Sequence, residues 1–418
     1  MLDQSELPDR VRALRGMDRV LPALEGGPSC FLVGGAVRDL LLGREPFDVD
    51  IAVEGDAEAV AALVADALGG EAKSHERFGT ATVVAGGVDA VNLARTRSEA
   101  YAAPGALPEV EPADLGEDLV RRDFTVNAMA VALTPDLGAL SDPHRGRKDL
   151  GIGLIRVLHP ASFSDDPTRL LRAVRYAARL DFSIESNTAR WAREAVAAGA
   201  LTTVSGPRIR DELLDLLTED EAPRAVELLR ELGIDRGLHP GLRADPELVA
   251  SAKLAAAETA ANPALAALAA FAVDRPASST APVESDGGIA AWIDRLGLTA
   301  GDRDAVLGAA QRAPGLVEEL RGGLRPSRLR ALLDGEPPEA LALALALGAP
   351  AEPILDFVSR LSTARLEITG ADLIAAGLPE SPALGRALGE TLARKLDGEL
   401  DGRDDELRVA LEIARGGE

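Results

Sequence analysis

Asp48 and Asp50 stand one residue apart in Phe47-Asp-Val-Asp-Ile-Ala-Val53, a segment that begins with the apolar-acidic alternation of a half-buried strand. Residues i and i+2 of a strand project from one face, about 7 Å apart at their Cα atoms. Two like charges held that close repel unless a cation sits between them. Oxygen-only ligation suits Mg²⁺, which keeps waters and takes its remaining ligands from substrate phosphates. The same pattern also describes a solvated strand face with Val49 packing inward.

Upstream, Cys30-Phe-Leu-Val33 is a short apolar run stopped by Gly34-Gly35, after which Ala36 to Leu42 has helical character up to Gly43. A strand that ends in two glycines and turns into a helix lets bare backbone approach a ligand, and the helix start favours an anion. Arg38, one turn on, can add a charge-assisted bond to a phosphate; a tight connection alone would look the same. Glycine turn, helix and Asp-x-Asp strand lie close enough along the chain for one βαβ-like unit to set a triphosphate beside a metal. Further on, Arg121, Arg122 and Asp123 precede an apolar, helix-capable stretch that contains Thr125 and Asn127. Asp123 could cap that helix while the arginines pair with Asp118, or Arg122 could face a nucleotide. In Asp165-Asp-Pro-Thr-Arg169, Asp166 and Pro167 suit the start of a helix, on which Arg169, Arg172, Arg175 and Arg179 share one arc. The bland account is an amphipathic helix with a solvated basic face.

The elements that must position these residues divide the chain in texture. Residues 30–150 mix short strands with helices: Ala57 to Leu68 reads as a helix ended by Gly69-Gly70, and Thr80–Val84 with Val88–Leu93 as a hairpin. This predicts an α+β fold, with an N-terminal mixed sheet layered by helices. From about residue 155, Ala, Leu and Arg dominate and an all-α half is expected, broken at Gly206-Pro207, His239-Pro240, Ala313-Pro314 and Pro337-Pro338. Residues 274–288 form the best flexible loop, a last helical unit runs from Gly370 to Arg415, and no fixed-period repeat is present.

Composition bounds the function. The single cysteine, Cys30, excludes a disulfide framework and a cysteine-based zinc site. No apolar stretch approaches the ~20 residues of a membrane span, and the first thirty residues lack an apolar signal region, so a cytoplasmic protein is expected. The net charge of −23 speaks at first sight against a nucleic-acid partner. Residues 161–210, however, hold eight arginines against five acidic residues, so a narrow basic track and steeply salt-dependent RNA binding are expected there.

Taken in order, Phe31-Leu-Val-Gly-Gly-Ala-Val-Arg-Asp-Leu-Leu-Leu-Gly43, Asp48-Val-Asp50, Arg121-Arg-Asp-Phe-Thr-Val-Asn-Ala-Met-Ala130 and Asp166-Pro-Thr-Arg-Leu-Leu-Arg-Ala-Val-Arg175 resemble the motifs of the class II tRNA nucleotidyltransferase and bacterial poly(A) polymerase family. A weaker likeness to the tail of longer members returns at Ile368-Thr-Gly-Ala-Asp372 and Lys395-Leu-Asp-Gly-Glu-Leu400. The resemblance implies template-independent addition of CCA, from CTP and ATP, to tRNA 3′ ends. CC-adding, A-adding or poly(A) polymerase activity and an inactive RNA-binding scaffold are the alternatives. It implies that Asp48 and Asp50 bind catalytic Mg²⁺, that Gly34, Gly35 and Arg38 contact the triphosphate, and that Arg122, Asp166, Arg169, Arg172 and Arg175 complete the nucleotide pocket. A carboxylate accepts from an exocyclic amino group and a guanidinium donates to the neighbouring ring nitrogen, so Asp166 with Arg169 suits C and A and rejects U and G.

The same resemblance suggests a catalytic head at 1–155, a helical neck that binds base and RNA at 156–220, a helical body at 221–365 and a tail at 366–418. It leaves the oligomeric state open. Two positions depart from the family pattern: Asp165 stands where Glu is usual, and Asn92 aligns with an expected third acidic residue, with Asp89 nearby. Beyond residue 200 the chain has one histidine, His239, and no His-Asp pair, so a phosphohydrolase-type metal site is not expected in the body.

Overall fold

The computed structural model describes residues 3–46, 48–75, 79–273 and 288–416. Phe47 and most of the loop expected at 274–288 lie outside the described residues. The chain divides into two compact units, Met1–Pro240 and Gly241–Glu418.

The first unit is built on β1 (Cys30–Val33), β2 (Val49–Val53), β3 (Glu71–His75), β4 (Thr80–Val84), β5 (Val91–Arg95), β6 (Arg97–Ala100), β7 (Glu109–Pro112), β8 (Ala130–Thr134) and β9 (Leu140–Ser141). Seven of them form one sheet in the order β3-β4-β5-β2-β1-β8-β9, while β6 and β7 pair with each other. Only β2 and β5 run parallel in the large sheet, and the helix Ala57–Leu68 lies on the crossover between them. That helix starts on the Asp56 carboxylate, which accepts from the Glu58 and Ala59 N–H groups, and stops at Gly69 in the left-handed region. The β4–β5 hairpin is present as expected, with Thr82 opposite Asn92.

Three local expectations are corrected. β1 and β2 are antiparallel, so the glycine turn and its seven-residue helix form a return and not a βαβ unit; a parallel return needs a longer crossover. The stretch after Asp123 is a single 3₁₀ turn, Thr125–Asn127, followed by β8. Its short apolar run has no distinguishing period, and pairing with β1 decides for strand. Asp123 therefore caps no helix; its Oδ1 accepts from the Phe124 N–H and the Asn127 amide.

Every described element of the second unit is helical. The helix Pro263–Ala272, buried from Ala264 to Ala272, packs against the helices Pro246–Thr259, Ala300–Leu320 and Pro338–Ala346. The break expected at Ala313-Pro314 does not occur, because Ala309, Ala310, Ala313, Leu316 and Val317 are buried and their packing carries the helix through the proline. A last cluster of Ile368, Leu373, Leu384 and Ala410 joins the C-terminal helices. Among the described residues no helix is long and apolar enough to cross a membrane.

Candidate active site

A polar cleft of about 500 Å³ gathers all four motifs. Gly34 and Gly35 reach it from the end of β1, Asp50 from β2, and Arg121, Arg122 and Asp123 from the segment after the helix Leu115–Val120. Asp166, Arg169 and Arg172 enter around the start of the helix Arg169–Leu180. Val33, Ala52, Leu119 and Ala130 form the apolar cluster that locks β1, β2, β8 and the helix Leu115–Val120 together behind these groups. Burying four such side chains stabilises their alignment without any polar contact.

At the glycine turn, Gly34 has φ +68° and ψ −132°, a conformation open to glycine, and a Cβ there would lie 3.1 Å from Nη1 of Arg122. The guanidinium therefore rests on bare backbone. Gly34→Ala is expected to destabilise the fold by about 1–3 kcal/mol and to raise the KM for nucleotide, checked by thermal melting and nucleotide titration. Arg122 is also held from behind: Asp118, 1% exposed, accepts from Arg122 at 2.9 Å and from Arg121 at 2.6 Å. Burial pushes the Asp118 carboxyl up, but the two guanidinium charges outweigh it and its pKa lies below the usual carboxylate range. Pairing with Asp118 and facing the cleft are thus both true of Arg122.

Asp50 projects from β2 directly opposite Asn92 of β5. Asp48 sits in the bend just before β2, exposed, and does not line the cleft. Partial burial, then the charges of Asp50 and Asp89, raise the Asp48 carboxyl above its ordinary value. A divalent cation would relieve that strain of like charges, and hard oxygen donors are what Mg²⁺ takes. Among the described residues no cluster of three or more ligating side chains is present.

The family profile described as the poly A polymerase head domain matches residues 30–156, and that of the probable RNA and SrmB-binding site of polymerase A matches residues 181–245. A CC-adding tRNA nucleotidyltransferase of Deinococcus radiodurans is 36% identical over 85% of this chain and 82% of that protein. The chain belongs to the tRNA nucleotidyltransferase and poly(A) polymerase family. An A-adding tRNA nucleotidyltransferase of Geobacter sulfurreducens is 35% identical over 97% of this chain and 47% of its own length. The chain spans about half the length, or less, of the A-adding relatives it matches. The Thermotoga maritima CCA-adding enzyme complexed with tRNA-CCA superposes with a TM-score of 0.77 at 30% identity, covering 100% of this chain and 99% of that one.

Four residues expected to contact the nucleotide, Arg38, Arg175, Asp166 and Arg169, have partners within the chain. Arg38, 4% exposed, does not line the cleft: Nε and Nη2 donate to Asp39, and Nη1 donates to Asn127 at 2.9 Å. Arg175 is likewise buried outside it, donating to Glu212 at 2.7 Å and Glu219 at 3.4 Å. Asp166 and Arg169 do line it but are not bonded to each other. Asp166 Oδ1 accepts from Thr168 and from Arg208 at 2.8 Å, while Arg169 donates to Ser162 and to the Arg121 carbonyl. The helix begins at Arg169 with Thr168 in the cap position, so Asp166 holds the preceding turn and is not the cap.

The expected solvated basic face is absent as well. Arg172 donates to Asp123 at 2.6 Å and to Glu212 at 3.2 Å, and Arg179 pairs with Glu219. Glu212 and Glu219 come from the helix Gly206–Thr218 and the residue after it, just beyond the 161–210 window whose charge looked positive, and Asp123 comes from well before it. All this surrounds Tyr176, whose ring centroid lies 5.3–5.6 Å from the guanidinium carbons of Arg38, Arg172, Arg175 and Arg179. The sequence did not single out Tyr176, Tyr101 or Arg208, all of which line the cleft, as does Asn127. Tyr176 carried one usable signal, as the single aromatic residue within the arginine-rich helix.

Proposed function

We propose that this cleft is the active site of a template-independent nucleotidyltransferase that adds CCA, from CTP and ATP, to the 3′ ends of tRNA in the cytoplasm. The observation that carries the reading is the convergence of the glycine turn, Asp50, Arg122 and the Asp166–Arg169 turn on one cleft. The RNA 3′-hydroxyl attacks the α-phosphorus of the nucleotide, the new phosphodiester forms, and the bond to pyrophosphate breaks. Asp48 and Asp50 would hold the divalent cation, Mg²⁺, which supplies positive charge to the triphosphate and the attacking oxygen when bound.

Within the chain, Gly34 and Gly35 offer bare backbone to the triphosphate while Arg122 and Arg172 supply charge. Asp166, through Oδ2, accepts from the amino group of C or A, and Arg169 donates to the adjoining ring nitrogen. Arg38 and Arg175 support the nucleotide from behind as positioning residues, through Asn127 and Glu212. Residues 1–155 act as catalytic head, 156–220 as neck, 221–365 as body and 366–418 as tail.

A second reading, CC-only or A-only addition, is favoured by the names of the two relatives above. Purified protein is incubated with tRNA ending before CCA, and with tRNA ending in CC, using CTP, ATP or both. Full CCA addition gives three added residues only with both nucleotides. CC-only activity stops at two, and A-only activity extends only the CC-ended tRNA.

A further inference from the structure

The sheet places three polar side chains in one row across its strands. Asp50 on β2 is the direct partner of Asn92 on β5, and Asn92 is the direct partner of Thr82 on β4. The Thr82 hydroxyl donates to Asn92 Oδ1 at 3.0 Å, and Asn92 Nδ2 donates to Asp50 Oδ1 at 3.1 Å. The carboxylate, which can only accept, takes the NH₂ group, and this leaves Asn92 Oδ1 for the Thr82 hydroxyl to anchor from the other side.

We propose that Thr82 and Asn92 form a relay that holds the carboxylate of Asp50 in one orientation, making both of them positioning residues for cation binding. The proposal rests on the reading that Asp48 and Asp50 hold the cation. A carboxylate turns almost freely about its last bond, and repulsion from Asp48 would turn Asp50 away. A hydrogen bond to Oδ1 removes that freedom and leaves Oδ2 to the cation. Asn92 does this without charge, where a third carboxylate would add to the repulsion already acting among Asp48, Asp50 and Asp89. Its own backbone is pinned by Val91 and Leu93, 3% and 1% exposed on the opposite face of β5. Partners of this outer kind are commonly worth ten- to a hundred-fold in metal affinity.

The test is Mn²⁺ binding to the full chain without nucleotide, followed by electron paramagnetic resonance, for wild type, Asp50→Ala, Asn92→Leu, Thr82→Val, the double variant and Thr82→Ser. Thermal melting confirms that each variant folds. Asn92→Leu and Thr82→Val are each expected to weaken Mn²⁺ binding about tenfold, the double variant no further than Asn92→Leu alone, and Thr82→Ser to bind as wild type. Wild-type binding in either single variant overturns the relay, as does a double variant in which the two losses multiply. Failure of the underlying reading looks different: wild type then binds no Mn²⁺, or Asp50→Ala binds it undiminished.

Discussion

Asp50→Ala is expected to lower nucleotide incorporation by at least about 10³-fold, equivalent to ~4 kcal/mol of transition-state stabilisation, while the protein stays folded. Asp50 is half-buried at the cleft, and the bond from Asn92 is its one hydrogen bond through the side chain among the described residues. Losing it costs about 1 kcal/mol, and removing its charge relieves part of the repulsion that raises Asp48. Structural cost and benefit nearly cancel, so a large loss of rate must come from the chemistry. Single-turnover incorporation of labelled CTP and ATP, with thermal melting on the same preparation, separates the two. A loss of rate below tenfold would remove Asp50 from the catalytic role.

Asp123→Ala has the opposite profile: a large effect on stability. Asp123 is 7% exposed and joins two halves of the cleft wall, accepting from Asn127 through Oδ1 and from Arg172 through Oδ2. Asn127 in turn holds Arg38, and Arg172 holds Glu212, so a hydrogen-bonded chain of charged and polar groups runs from the glycine-turn helix to the helix Gly206–Thr218. Removing Asp123 leaves Arg172 with Glu212 as its remaining carboxylate and takes the acceptor from the Asn127 amide, at a cost of about 3 kcal/mol. Burial alone would raise the Asp123 carboxyl, but Arg172 outweighs it and its pKa is lowered. A carboxyl depressed in the folded state contributes stability above its unfolded pKa and loses it as pH falls through the folded value. The gap in stability between wild type and Asp123→Ala should therefore be full at neutral pH and narrow below the ordinary aspartate range of about 4. Denaturant melts at pH 7 and at pH 3 measure it, and an equal gap at both would show that the ion pair contributes nothing.

The two variants also divide what is local from what is not. The residues proposed for the chemistry were legible as candidates because each motif is a short pattern whose meaning depends on neighbours: two carboxylates two apart at the start of a strand, two glycines between strand and helix, Asp and Arg three apart beside a helix start. Helix and strand periods did the same for Ala57–Leu68 and the β4–β5 hairpin. Where the expectation failed, the deciding partner was distant in sequence. Ala130–Thr134 became a strand because β1 offered it a free edge. The four arginines of one helix lost their solvated face because Glu212 and Glu219 pack over them.

Arg38 illustrates the limit most sharply. Its position one turn after Gly34-Gly35 suits a phosphate, yet Asp39 and Asn127 hold its guanidinium away from the cleft lining. The sequence by itself determined the two-part architecture, the candidate carboxylates and the family, all of which follow from residue type at short spacing. The tertiary structure alone decided which charges face the cleft and which neutralise one another, because electrostatic pairing depends on distance in space and the charges that meet there, Arg172 and Asp123 among them, lie up to 49 residues apart along the chain.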